Sequence, residues 1–246
     1  MDDEDPLGTH ALDDLAAGFR GALSLFPFGG VIAELITRGI PNQRIDRVAA
    51  YIAGLEERLT ALELSQREEA LSDPEKIDLI EEGAFQSARA TTRDRIERIA
   101  ELVANGLAAE SAEVLRRKRL ALLLRQIDDE ELAILNAYGQ AYGGNKAAAW
   151  AKVVQPPPAH LQAPRSQVDD RKLYEAGPAN LLRLGLLMKR YRRVPKGAQP
   201  VFDPAKGDFE HTLEVSYLGR LLLRAIGHPS PIDVERAEGQ EANPST

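Results

Sequence analysis

The chain has 246 residues, 43% of them hydrophobic and 28% charged, the make-up of a soluble globular protein with one large or two modest domains. It has no cysteine, which excludes disulfides, thiolate zinc sites and cysteine nucleophiles, and its aromatic content of 5% favours helix packing over sheet. The net charge of −7 belongs to the ends: Asp2, Asp3, Glu4, Asp5, Asp13 and Asp14 precede any Lys or Arg, and Asp233, Glu235, Glu238 and Glu241 outnumber Arg236 after Pro229, leaving a slightly basic body.

Residues 1–11 read as a disordered acidic tail. They lack the basic start of a secretion signal. Residues 12–25 suit a short helix through Leu12, Leu15, Phe19 and Leu23. Pro27-Phe28-Gly29-Gly30 breaks it, and Val31, Ile32, Leu35 and Ile36 follow before Gly39 and Pro41. As one helix the apolar run 21–36 would reach roughly 24 Å against about 30 Å of hydrocarbon, and it carries Glu34, so it is no membrane span. The whole stretch 18–41 reads as a broken helical hairpin plugging a bundle, with Leu25, Phe26, Phe28, Val31 and Ile32 as a candidate partner or membrane surface. A soluble cytoplasmic protein is the expectation.

Ile45, Val48, Ile52, Leu55, Leu59 and Leu62 recur at steps of three and four, the seam of a bundle helix. Asp73-Pro74-Glu75 starts another helix with apolar positions Ile77, Ile80, Ala84, Phe85 and Ala88. Thr91 or Thr92 caps the next, whose face is Ile96, Ile99, Val103 and Leu107 and whose end is set by Asn105-Gly106. Ser111 or a neighbour opens a helix through Leu115, Leu122, Leu123 and Ile127. Short helices with brief links predict an antiparallel bundle over residues 12–127.

Asp128-x-x-Glu131 forms a capping box for a helix ending between Gly139 and Gly144. The Pro156-Pro157-Pro158 run and Pro164 predict an extended linker or surface loop over 155–170. Residues 172–188 read as a helix, residues 191–215 as possible strands among Pro195, Gly197, Pro200, Pro204 and Gly207, and 217–226 as a final helix capped by Ser216. Residues 229–246 read as a second disordered acidic tail.

Leu181-Leu182-Arg183-Leu184-Gly185-Leu186-Leu187, a hairpin-like segment and Ser216-Tyr217-Leu218-Gly219 together resemble the end of a winged-helix module. That resemblance implies a mainly α fold in which the N-terminal bundle is followed by a winged-helix-like unit over 128–228 with a β-hairpin wing. Pro27-Phe28-Gly29-Gly30, Ile40-Pro41-Asn42-Gln43-Arg44 with Arg47, residues 82–89 and Asn105-Gly106 give the chain a looser likeness to uncharacterised bacterial helical proteins of the Abi-alpha type. This likeness implies a bacterial source and a role in phage defence, and no residue-level chemistry.

His10, His160, His211 and His228 lack metal-ligand spacing. Gly143-Gly144-Asn145-Lys146 lacks the spacing of a phosphate loop, no Gly-x-Ser-x-Gly elbow occurs, and Glu81-Glu82 and Asp128 to Glu131 read as helix-end charge. No catalytic, cofactor-binding or metal-binding residue is assigned, and an enzyme is disfavoured. The main electrostatic feature is Lys189, Arg190, Arg192 and Arg193 with Lys196, a candidate contact for nucleic acid or an anionic surface. Arg116-Arg117-Lys118-Arg119 reads as a run that pairs with neighbouring acids. The helix before the wing, with Glu175, Ala176, Asn180, Leu181 and Leu182, offers few side chains able to read bases. The leading expectation is a non-enzymatic protein that works through a protein partner, with a membrane surface as a further option and oligomeric state open. The alternative is a winged-helix DNA-binding regulator.

Overall fold

The computed structural model describes residues 44–59, 72–141, 146–158, 160, 162–194, 196–197, 199–204 and 207–235. These are mainly helical and fall into two compact units divided between Arg125 and Gln126. The stretch 18–41, with Leu25, Phe26, Phe28, Val31 and Ile32, lies outside the described residues, as do Leu62 and Gly143 to Asn145.

The first unit contains α1 (Ile45–Leu59), α2 (Pro74–Arg89), α3 (Arg93–Leu107) and α4 (Ser111–Arg125). Helix α1 packs on α2 and α3, and α4 packs on the same two. Arg47 near the start of α1 donates to the Ala88 carbonyl at the end of α2, at 3.5 Å. Arg95 near the start of α3 reaches the Leu124 carbonyl at the end of α4, at 2.5 Å. Both contacts join the start of one helix to the end of another, as antiparallel neighbours require. The caps follow the sequence: Asp73 accepts from the Glu75 N–H, and Thr92 from the Arg95 N–H.

The seam of α1 is buried at Ile45, Val48, Ile52, Leu55 and Leu59. Tyr51, which that seam omits, is also fully buried and donates to the Ile80 carbonyl at 3.2 Å. Burial pushes its phenol far above the ordinary tyrosine range.

Three expectations fail here. Phe85 is exposed, while Leu79, Gly83, Gln86 and Ser87 are buried, because α2 is enclosed by three helices and buries a broad arc. On α4, Leu115 and Leu122 are exposed and Val114, Ala121 and Leu124 face inward, and Ile127 lies beyond the helix end. Apolar residues occur all round α4, so periodicity alone does not choose its buried face. Gly106 does not end α3. It lies inside the helix where a Cβ would meet Leu79 Cδ2 and lie 3.2 Å from Arg117 Cβ, so it permits close approach.

The second unit contains α5 (Asp129–Gly139), α6 (Lys146–Ala151), α7 (Arg165–Arg183), β1 (Leu187–Tyr191), β2 (Phe202–Asp203), β3 (Asp208–Phe209), β4 (His211–Val215) and α8 (Tyr217–Ala225). Helix α5 is its hub, touching α6, α7, β4 and α8. Its capping box is present in both directions between Asp128 and Glu131. Strands β1 and β4 form one antiparallel pair, from Leu187 opposite Val215 to Tyr191 opposite His211. Strands β2 and β3 form a second, with Phe202 opposite Phe209.

Helix α7 starts at Arg165 and stops at Arg183, so the predicted loop 155–170 and the predicted helix 172–188 both need correction. Gly185, at φ +72°, turns the chain out of the helix, and Leu187 enters a strand. The proline run is also tethered: Arg171 donates to the Pro156 carbonyl at 3.4 Å and Gln167 to the Pro158 carbonyl at 3.2 Å. The acidic tail predicted from residue 229 is corrected for residues 230–235. Ser230 and Asp233 are buried there, Asp233 accepts from Ser230 Oγ at 2.5 Å, and Arg224 and Arg220 lie 3.4 and 3.7 Å from its Oδ1.

Candidate functional site: an exposed aromatic hairpin

The Leu-Gly-Leu turn and the N-terminus of α8 clamp the base of the β1–β4 hairpin. Ser216 N–H donates to the Leu186 carbonyl at 3.0 Å, and Ser216 Oγ donates to the Gly185 carbonyl at 2.5 Å. The same oxygen accepts from the Gly219 N–H at 2.9 Å, capping α8. Gly219 sits against this turn so closely that a Cβ there would run into the Leu186 carbonyl oxygen.

Beyond this base the hairpin is largely solvent-facing. Met188, Tyr191, Val194, Val201, Phe202 and Phe209 are all exposed, in contrast to the buried Leu186 and Leu187. Phe202 and Phe209 pack edge to face at 5.4 Å, and Tyr191 packs on His211 at 5.7 Å.

The predicted cations lie along this hairpin, but most have acidic partners. Lys189 Nζ is 2.6 Å from Asp208 Oδ2, and Arg190 Nη1 is 3.0 and 2.9 Å from the two Glu214 oxygens. Arg192 is more loosely placed, 3.9 Å from Glu210. Arg193 and Lys196 are exposed and make no ion pair among the described residues. Lys189 holds the Asp208 carboxyl below the usual range, helped by the Phe209 N–H, and Asp208 raises the lysine in return. His211 Nδ1 completes this cluster, 2.8 Å from the Phe209 carbonyl oxygen and 3.5 Å from Asp208.

Tyr191, Arg192, Arg193, Val201, Phe209 and Glu210 line an open recess of about 380 Å³. A second recess of about 580 Å³ lies along Arg190, Arg192 and Arg193 but also holds Asp203, Glu210 and Glu214. The first therefore offers apolar and aromatic wall beside two guanidinium groups and one carboxylate, and the second holds three carboxylates. Sequence reasoning located the cations and missed the aromatics and carboxylates of the returning strand. The signal was the alternation of Thr212 to Val215, which extends back through His211 as an antiparallel partner of the basic run.

The other basic run behaves as expected. Arg116 and Arg117 meet Glu113, and Lys118 bonds Glu75 at 2.8 Å and also Asp78. Among the described residues no His, Asp and Glu side chains gather as a metal-ligand set, and no helix is long and apolar enough to cross a membrane. No known protein family, curated protein sequence or solved structure matches the chain.

Proposed function

We propose that the protein is non-enzymatic and acts in the cytoplasm by binding a protein partner through the hairpin of a winged-helix-like second unit. The order of elements supports that unit: helices α5, α6 and α7, the β1–β4 hairpin, then α8 capped by Ser216. The observation that carries the partner reading is the exposure of Tyr191, Val201, Phe202 and Phe209 on a hairpin whose cations Lys189 and Arg190 are already neutralised from within. Exposed aromatic side chains next to arginine are the composition of interface hot spots.

Site-specific photo-crosslinking tests this. With a benzoylphenylalanine in place of Phe202, the full chain expressed in cells should yield a discrete crosslinked protein, lost when Tyr191→Ala and Val201→Glu are added. The same label in place of Glu97, exposed on the first unit, should yield none. Equal crosslinking from both positions, or none from Phe202, refutes the reading.

A DNA-binding regulator is the second reading, favoured by Arg192, Arg193 and Lys196 on the wing of such a unit. It predicts salt-dependent DNA affinity that falls in the Arg190→Ala/Arg192→Ala/Arg193→Ala variant. Absence of binding at low salt, or unchanged binding in that variant, removes it.

A further inference from the structure

Building on the hairpin as a protein-contact surface, we infer that its recess takes a short acidic segment carrying an apolar anchor, with carboxylates on Arg192 and Arg193 and the anchor against Val201 and Phe209. Charge sets the occupant. The recess holds two guanidinium groups against one carboxylate: Arg192 meets Glu210 only loosely, at 3.9 Å, and Arg193 makes no ion pair among the described residues, with Lys196 close in sequence. A guanidinium fork left open, as at Arg193, or loosely engaged, as at Arg192, matches a carboxylate in geometry and strength. The wall between them is apolar: Val201 and Phe209 are 59% and 43% exposed, so a side chain seated there removes apolar surface from water on both sides.

The main chain at Arg192 is already used, its N–H donating to the Glu210 carbonyl at 3.4 Å, so the recess meets a guest through side chains. A nucleic-acid backbone fits less well. It needs a continuous track of cations, and here Asp203, Glu210 and Glu214 stand along the neighbouring recess.

Fluorescence anisotropy with the full chain tests the inference, using labelled short peptides that carry Glu at both ends around Leu, Phe or Trp, and a matching set with Gln for Glu. The acidic set should bind about tenfold more tightly than the neutral one. Arg192→Ala/Arg193→Ala should abolish that preference, and Val201→Ala/Phe209→Ala should weaken the acidic set by about tenfold while the preference persists. Equal binding of the two sets, a preference that survives in the arginine double variant, or tighter binding of labelled oligothymidylate than of any peptide each overturns the inference. A crosslinked partner at Phe202 without any preference for Glu over Gln overturns this inference alone. Loss of both signals removes the hairpin reading as well.

Discussion

Gly219→Ala is the sharpest test of how the hairpin is held. A Cβ at this position would overlap the Leu186 carbonyl oxygen and lie 3.0 Å from Val215 Cγ2. The carbonyl is main chain and is fixed by the Ser216 N–H at 3.0 Å, so it cannot yield as a side-chain tip would. Overpacking of this kind costs about 1–3 kcal/mol, and displacing the carbonyl forfeits a hydrogen bond worth about 1 kcal/mol. Alanine recovers at most about 1 kcal/mol of helix propensity. The expected net loss is about 2 kcal/mol, a fall of roughly 1–2 M in urea midpoint for a unit of this size. Trp150 is the sole tryptophan and packs edge to face on Tyr138 at 5.2 Å, so its fluorescence reports the second unit. Gly54→Ala in the first unit is the control: its Cβ would lie 3.4 Å from Arg58 Nη1 and 3.5 Å from Ala100 Cβ, ordinary contacts, and the change should be within about 1 kcal/mol of neutral in circular-dichroism melts. Wild-type stability in Gly219→Ala, or an equal loss in Gly54→Ala, refutes the reasoning.

Ser216→Ala removes both the α8 cap and the bond to the Gly185 carbonyl, and should cost about 1–2 kcal/mol by the same fluorescence measurement. In the first unit, Gly83→Ala places a Cβ against Tyr51 Oη and 2.8 Å from Val103 Cγ2, and should lower stability by about 2 kcal/mol in circular-dichroism melts. Tyr51→Phe should cost less beside Gly83→Ala than it does alone, because the nearest of three obstructing atoms, Tyr51 Oη, is gone while Tyr51 Cζ and Val103 Cγ2 remain, and strict additivity would show that the ring oxygen is not the obstacle. Asp208 has a lowered pKa, so its pairing with Lys189 contributes above the ordinary aspartate value of about 4 and is lost as pH falls through the lower folded value. A carboxyl NMR titration should place its midpoint below the ordinary range, and Lys189→Ala should move it upward. Asp233→Ala leaves Arg220 and Arg224 without their shared acceptor and should cost about 1–3 kcal/mol, read by Trp150.

The local signals that the sequence carries well are those that need no partner. The Asp73, Thr92, Asp128 and Ser216 caps are each a side chain meeting its own helix's N–H groups, and all four stand where spacing puts them. The α1 seam is legible for the same reason. Faces are harder. Phe85, Leu115 and Leu122 are apolar yet exposed, because what is buried on α2 and α4 depends on how many helices enclose each one. The α7 boundaries fail at both ends: Arg165 starts a helix without a side-chain cap after Pro164, and the exit depends on the φ of Gly185, which periodicity does not register among so many leucines.

The hairpin shows why a charge run is a weak guide when strands are involved. Along the chain, Lys189 to Lys196 has no acid near it. In space, the segment from β3 through β4 supplies Asp208 to Lys189, Glu210 to Arg192 and Glu214 to Arg190. Charges that look additive in sequence are thus largely cancelled at contact distance, and a phosphate backbone approaching the hairpin would meet carboxylates as well as guanidinium groups. What the pairing leaves uncancelled is apolar and aromatic surface, with Arg193 and Lys196 at its margin. Apolar surface of that kind is stabilised by covering it, whereas a phosphate track is stabilised by the number of cations neutralised. Salt therefore separates the two cases: a partner seated on Val201 and Phe209 loses only the share that its carboxylates add, about tenfold, as ionic strength rises, and a polyanion loses most of its affinity.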